Sequence, residues 1–184
     1  GAAIDAGYFN EQIVPLTIPS SENGKRKESL FHSDEGVRRH PNRKKMDALS
    51  PVFKENGTVT AGNASQISDG SSALLLASAD AVGRYNLIPI ARVLTRAVIG
   101  TDPTLMLDGP IAATKKALKM TNGLTLDDID VIEINEAFAS VVLAWQKELN
   151  PDMEKVNPNG GAIAHGHPLG ATGAILMTKL VHEM

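Results

Sequence analysis

His167 lies in residues 157–173 (NPNGGAIAHGHPLGATG), a stretch punctuated by Gly160, Gly161, Gly166, Gly170 and Gly173. Glycine permits positive φ and lets the backbone approach another group closely. Gly170-Ala171-Thr172-Gly173 then opens a run that reads as a helix. A loop feeding a helix N-terminus supplies free N–H donors and the positive end of a dipole. Together with a hydrogen bond from the histidine, it could hold negative charge developing on an oxygen, as an oxyanion hole does. A glycine-rich turn with a structurally satisfied histidine accounts for the same residues. A phosphate loop fits poorly, because no Gly-Lys-Ser/Thr follows the glycines. His165-x-His167 has the spacing of half a metal site, yet the stretch holds no Cys, Asp or Glu to complete it.

Two further stretches carry polar residues where chemistry can be placed. Residues 135–140 (NEAFAS) follow residues 129–134 (IDVIEI), whose alternation reads as a strand. A polar pair at the C-terminal end of a strand, before a helix, is where open α/β sheets place their sites. Helix capping by Asn135 explains it equally well. On periodicity alone Phe138 belongs to a core. Residues 58–70 (TVTAGNASQISDG) contain Gly62-Asn63-Ala64-Ser65, a turn of small residues against which a ligand could lie.

The elements that must position these stretches follow from pattern. Residues 1–60 read as irregular and polar, with apolar islands at 13–18 and 49–53. Pro15, Pro19, Pro41 and Pro51 forbid long helices there. Residues 58–60 can start a strand, and residues 73–77 read as a buried strand or a short core helix. Residues 78–85 look helical, residues 91–99 look like a half-buried strand, and residues 108–120 are helical with Pro110 in the first turn. Phe138, Val141, Val142, Trp145 and Leu149 form one apolar helical stripe ended by Asn150-Pro151. Residues 161–164 can be a short strand and residues 173–184 a helix. The order β-α-β-α-β-α over 91–184 implies an α/β layer architecture. Both ends read as parts of a longer chain.

Composition narrows the function classes. The 184 residues are 42% apolar and only 4% aromatic, with net charge −3, so neither base stacking nor a global pull toward nucleic acid is expected. Lys25, Arg26, Lys27, Arg38, Arg39, Arg43, Lys44 and Lys45 cluster against Glu28, Asp34 and Glu35. That cluster is either a solvated surface or a dock for a phosphate-bearing ligand. There is no cysteine, hence no disulfide and no thiol nucleophile within these residues. The apolar run at 73–79 is far shorter than the ~20 residues a bilayer needs, and residues 1–10 are no signal peptide.

Taken in order, TVTAGNAS…SDG, NEAFA and NPNGGAIAHGHPLGATGA resemble the thiolases (acyl-CoA C-acyltransferases) across essentially the whole chain. The resemblance implies an α/β thiolase-like fold with layered α-β-α-β-α architecture, incomplete in this chain. Residues 1–65 would end the loop (substrate-binding) domain. Residues 66–88 would be the last strand and helix of the N-terminal half, and residues 89–184 the C-terminal half without its final strands. His167 would bind the thioester oxygen and assist a nucleophilic cysteine, and Asn135 would hold a water completing an oxyanion site for the second acyl group. Ser65, Leu49, Phe53 and Phe138 would line the pantetheine tunnel, with Arg38 near the nucleotide end of coenzyme A.

The family's two cysteines fall outside this sequence, so the resemblance implies that the chain alone is inactive. Coenzyme A thioesters would be substrates, with no cofactor. Acyl-CoA, CoA and the remaining part of the thiolase polypeptide are the implied partners, in a homo-oligomer (dimer or tetramer), with no nucleic acid and no membrane. The expected location is cytoplasmic, or an organellar matrix in a eukaryote. His165 stands where the family usually carries an aliphatic residue. Two rivals remain at this stage: a non-catalytic thiolase-like lipid- or CoA-ester-binding or assembly subunit, and a ketoacyl synthase relative, from which NEAFA combined with GHP sets this chain apart.

Overall fold

The computed structural model describes residues 1–22 and 25–184. Helices form where pattern and caps agree. Ser78 accepts a hydrogen bond from the Ala81 amide and starts α3 (Ala79–Tyr85). Pro110 occupies the first turn of α4 (Gly109–Lys119), where its missing N–H costs nothing. The apolar stripe becomes α5 (Ala139–Leu149), stopped by Asn150 in the left-handed conformation ahead of Pro151. Thr172–Glu183 forms the last helix, α7. Two short helices near the start, α1 (Ala2–Asp5) and α2 (Arg43–Asp47), stay within the limits the prolines set.

The core sits where α5 packs against α4 and against the segments on either side of α5. Ile134, Trp145 and Val156 are buried together, with Ile111, Leu126, Ile132, Val142 and Leu149 packed around them. Trp145 is 1% exposed. Its indole N–H donates to Thr114 Oγ1 of α4 at 3.0 Å, so the largest buried side chain leaves no polar atom stranded.

Strands depart from the sequence expectation. Among the described residues the only ladder is an antiparallel ribbon, β1 (Leu16–Glu22) with β2 (Lys25–Phe31), in register from Leu16↔Phe31 to Glu22↔Lys25. It lies in the part expected to be irregular. Pro19 is tolerated because each strand of a two-stranded ribbon is an edge. Residues 58–60, 73–77 and 91–99 are neither helix nor strand. They have the composition of strands, but a strand is defined by a partner that accepts its hydrogen bonds. Leu75 and Val98 are each 82% exposed. Residues 129–134 reach the ladder state only at an isolated parallel bridge, Ile132↔Val156. Residues 161–164, expected as a strand, instead begin α6 (Ala162–His165). Among the described residues no helix is long and apolar enough to cross a membrane.

Candidate active site

Asn157 organises the site from behind. The Asn157 amide donates to Ile132 O at 2.8 Å, and there the backbone turns away with φ 45°. Its side chain then replaces the missing ladder rung. Asn157 Oδ1 accepts from Ile134 N at 2.8 Å, and Nδ2 donates to Ile134 O at 2.9 Å. Asparagine tolerates the left-handed conformation better than most residues. The segment is thereby held straight up to Asn135.

The stretch at 58–68 joins the other two. Ser65 N donates to Ala137 O at 3.0 Å, and Ala139 N to Asn63 O at 2.9 Å, so the turn satisfies an orphan amide at the start of α5. Asn63 folds back on its own loop, accepting from Thr60 N at 2.9 Å and donating to Thr58 O at 2.9 Å. On the other side Gln66 O accepts from His167 N at 3.0 Å. Gly166 has φ 100°, and a Cβ there would overlap the Ser68 hydroxyl, so the chain entering His167 has room for glycine alone.

His167 and Asn135 meet at the junction, with Asn135 Nδ2 3.3 Å from His167 Nε2. On the far side of the ring, Nδ1 is 2.6 Å from Thr172 Oγ1. The Thr172 hydroxyl donates its single proton to Pro168 O at 3.0 Å, so it accepts from His167 Nδ1–H. A neutral His167 therefore carries its lone pair on Nε2, with Asn135 as donor to it. The arrangement can accept a proton at Nε2 and then offer two N–H groups toward a nearby oxygen, one from each residue. Asn135 Oδ1 is buried without a partner among the described residues. A shallow cavity of about 420 Å³ opens one residue beyond His167, between residues 68–72 and 168–171.

Behind the pair lies a buried salt bridge. Lys179 Nζ reaches Glu133 Oε2 at 2.7 Å and Gly160 O at 2.6 Å, tying α7 to the glycine-rich loop. Desolvation pushes the Glu133 carboxyl above the ordinary glutamate range, against the opposing pull of the Lys179 ammonium. His165, in the last turn of α6, is held below the usual histidine value by burial and then by Lys179, and its Nε2 is buried without a partner.

The remaining expected residues divide. Phe53 and Phe138 meet edge to face, centroids 5.5 Å apart. Leu49 lies over Gly62, where a Cβ would come within 3.1 Å of its Cδ1. Ser65, Leu49, Phe53 and Phe138 thus gather around the 62–65 turn and residues 137–139. Arg38 stays on the exposed surface without an ion pair among the described residues. Its segment is anchored at Gly36 O, which accepts from Gln66 Nε2 at 2.9 Å. Arg39 pairs with Asp5, and Arg43 with Asp47 at 3.0 Å, so part of the basic stretch is spent on surface pairs. Residues missed from sequence are Thr172, Asn157 and the Glu133–Lys179 pair, and Glu136 was read only as half of the polar pair with Asn135. Lys179 had a readable signal, as the one cation inside an otherwise apolar helical run.

Solved structures place this arrangement in a class. The chain superposes on the acetyl-CoA acetyltransferase of Bacillus anthracis with a TM-score of 0.91 and 44% identity, over 99% of this chain and 45% of that one. Human mitochondrial 3-ketoacyl-CoA thiolase in complex with CoA gives 0.86 and 43%, over 99% and 44%. The fold is that of the thiolases, of which this chain carries a part. Residues 1–80 match the thiolase N-terminal domain family and residues 87–184 the thiolase C-terminal domain family. The chain belongs to the thiolase family. Among curated relatives, it is 52% identical to a steroid 3-ketoacyl-CoA thiolase of Mycobacterium tuberculosis over 183 residues, and 45% identical to human mitochondrial 3-ketoacyl-CoA thiolase over 183 residues. It spans all of itself but 42% and 45% of those proteins.

Proposed function

We propose that, in the complete polypeptide, this site transfers an acyl group between coenzyme A thioesters, by Claisen condensation or by thiolytic cleavage of a 3-ketoacyl-CoA. The observation that carries the proposal is the Asn135–His167 pair at 3.3 Å, with His167 Nδ1 backed by Thr172. A lone pair on Nε2 is what a thiol needs in order to lose its proton. The resulting imidazolium donates from both nitrogens, to Thr172 and to the thioester oxygen as negative charge develops there. Asn135 supplies a second donor, through a water, for the oxygen of the other acyl group.

These residues contain no cysteine, so the nucleophilic sulfur would come from the rest of the polypeptide and this chain by itself would not turn over. The edge-to-face Phe53–Phe138 pair, Leu49 and Ser65 would line the pantetheine arm, with Arg38 toward the nucleotide. CoA thioesters serve as substrates without a further cofactor. The division at residues 1–65, 66–88 and 89–184, a homodimeric or homotetrameric assembly, and a cytoplasmic or organellar-matrix location complete the reading.

The test is His167→Ala in the complete polypeptide. Losing one oxyanion donor typically costs ~10²–10³ in kcat. Near-parental thiolysis of acetoacetyl-CoA by that variant would sink the assignment.

A further inference from the structure

Glu136 follows Asn135 directly but does not share its environment. Its carboxylate turns away from the polar pair and receives two donors. Asn157 Nδ2 reaches Oε1 at 2.7 Å, and Ile163 N reaches Oε2 at 3.1 Å. The first donor belongs to the residue that straightens the Asn135 segment. The second belongs to the second residue of α6, three residues before Gly166 and four before His167. Gly161 makes room for this carboxylate, since a Cβ there would overlap it.

We infer that Glu136 is a positioning residue that sets the Asn135–His167 separation. It bolts the segment carrying Asn135 to the helix that delivers His167. The inference rests on reading His167 and Asn135 as the reaction's polar pair. Both oxygens of Glu136 must accept, and the Asn157 amide has no freedom to adapt. One Nδ2 proton is spent on Ile134 O, the other on Glu136, and Oδ1 is taken by Ile134 N. A glutamine at 136 offers one acceptor and one donor, so one of the two contacts becomes donor facing donor. The resulting shift passes into the loop that ends at His167, where a misplacement of about 1 Å can cost ~10²-fold in rate. Aspartate keeps both acceptors and the charge on a shorter stem, and sits between the two.

The experiment uses the complete polypeptide as parent, Glu136→Gln, Glu136→Asp and His167→Ala. It measures kcat and KM for thiolysis of acetoacetyl-CoA, the thermal midpoint, and the ring ¹⁵N signals of His167. Glu136→Gln is expected to lose ~10–100-fold in kcat, with KM within about 2-fold and altered His167 ring signals. Glu136→Asp should recover part of that loss. A purely structural role would lower the thermal midpoint and leave kcat per folded molecule and the ring signals at parental values; that result overturns the inference. If Glu136→Gln does not fold, parental kcat and ring signals in Glu136→Asp overturn it instead. Loss of activity in His167→Ala beside a parental Glu136→Gln removes this inference alone. A parental His167→Ala removes the functional reading and this inference with it.

Discussion

Replacing Thr172 with valine is the sharpest probe of how His167 is held. Valine keeps the branched shape, which matters at a residue only 4% exposed, and deletes the one oxygen that accepts from Nδ1–H. The perturbation is confined to the histidine side. Pro168 O, which loses the Thr172 hydroxyl, still accepts from Ala171 N at 2.8 Å and Thr172 N at 2.9 Å. A buried donor left without its acceptor costs about 1–3 kcal/mol. At about 1.4 kcal/mol per decade of rate, that is a loss of roughly 5–150-fold if the whole cost falls in the transition state. Most of it should fall there, because the bond is charge-assisted once the ring has taken a proton and so is stronger than in the resting site. The assay is steady-state thiolysis by the complete polypeptide. The expected outcome is a reduced kcat with little change in KM, and Thr172→Ser within a few-fold of the parent because its hydroxyl remains. A valine variant with parental kcat, or a serine variant as impaired as valine, would refute the tautomer assigned to His167.

Three other outcomes follow from the surroundings of the pair. Lys179→Met strands the Glu133 carboxylate and should destabilise the fold by about 3–5 kcal/mol in urea unfolding. Since burial already raises Glu133, the deficit should shrink as the pH is lowered and the carboxyl is neutralised. His165 favours its neutral form in the fold, so its contribution is present above the unfolded value of 6.5 and is lost as the pH falls below it. His165→Leu should therefore flatten the decline of the unfolding midpoint between about pH 7 and 5, and an unchanged slope would count against the burial assigned to His165. Gly166→Ala meets both a positive φ and the Ser68 hydroxyl. It should cost at least ~1–3 kcal/mol in stability and reduce kcat together with it, read by thermal unfolding and thiolysis.

Helices α3, α4, α5 and α7 were legible in the sequence because their determinants are local, whereas the single turn of α6 was read as a strand. Ser78, Pro110 and Asn150 each act within one turn, and the Val141–Trp145–Leu149 spacing states which face is buried. Strand composition was equally visible at residues 73–77 and 91–99, yet ladder formation depends on partners that no local pattern names. The β1–β2 ribbon was missed because its polar, proline-containing strands lack clean alternation, although Asn-Gly at 23–24, outside the described residues, is a turn signal in its own right. At the site, residue types pointed to His167 and Asn135. Thr172 looked like one more small residue in a glycine-rich run, and its role exists only through a distance between side chains. Glu136 was recognised as polar, but the direction of its carboxylate is set by Asn157, 21 residues away.

The Gln66 side chain donates at once to Gly36 O and, across 98 residues of chain, to Ala164 O. Such a bond closes a very long loop for little local reward, and loop-closure entropy is spent before the contact repays it. The backbone bonds inside α4, α5 and α7 close only one turn each and can form early. During refolding, helical signal should therefore return before the junction at His167 does. A protein that already looks native by circular dichroism would still be waiting for its last clasp.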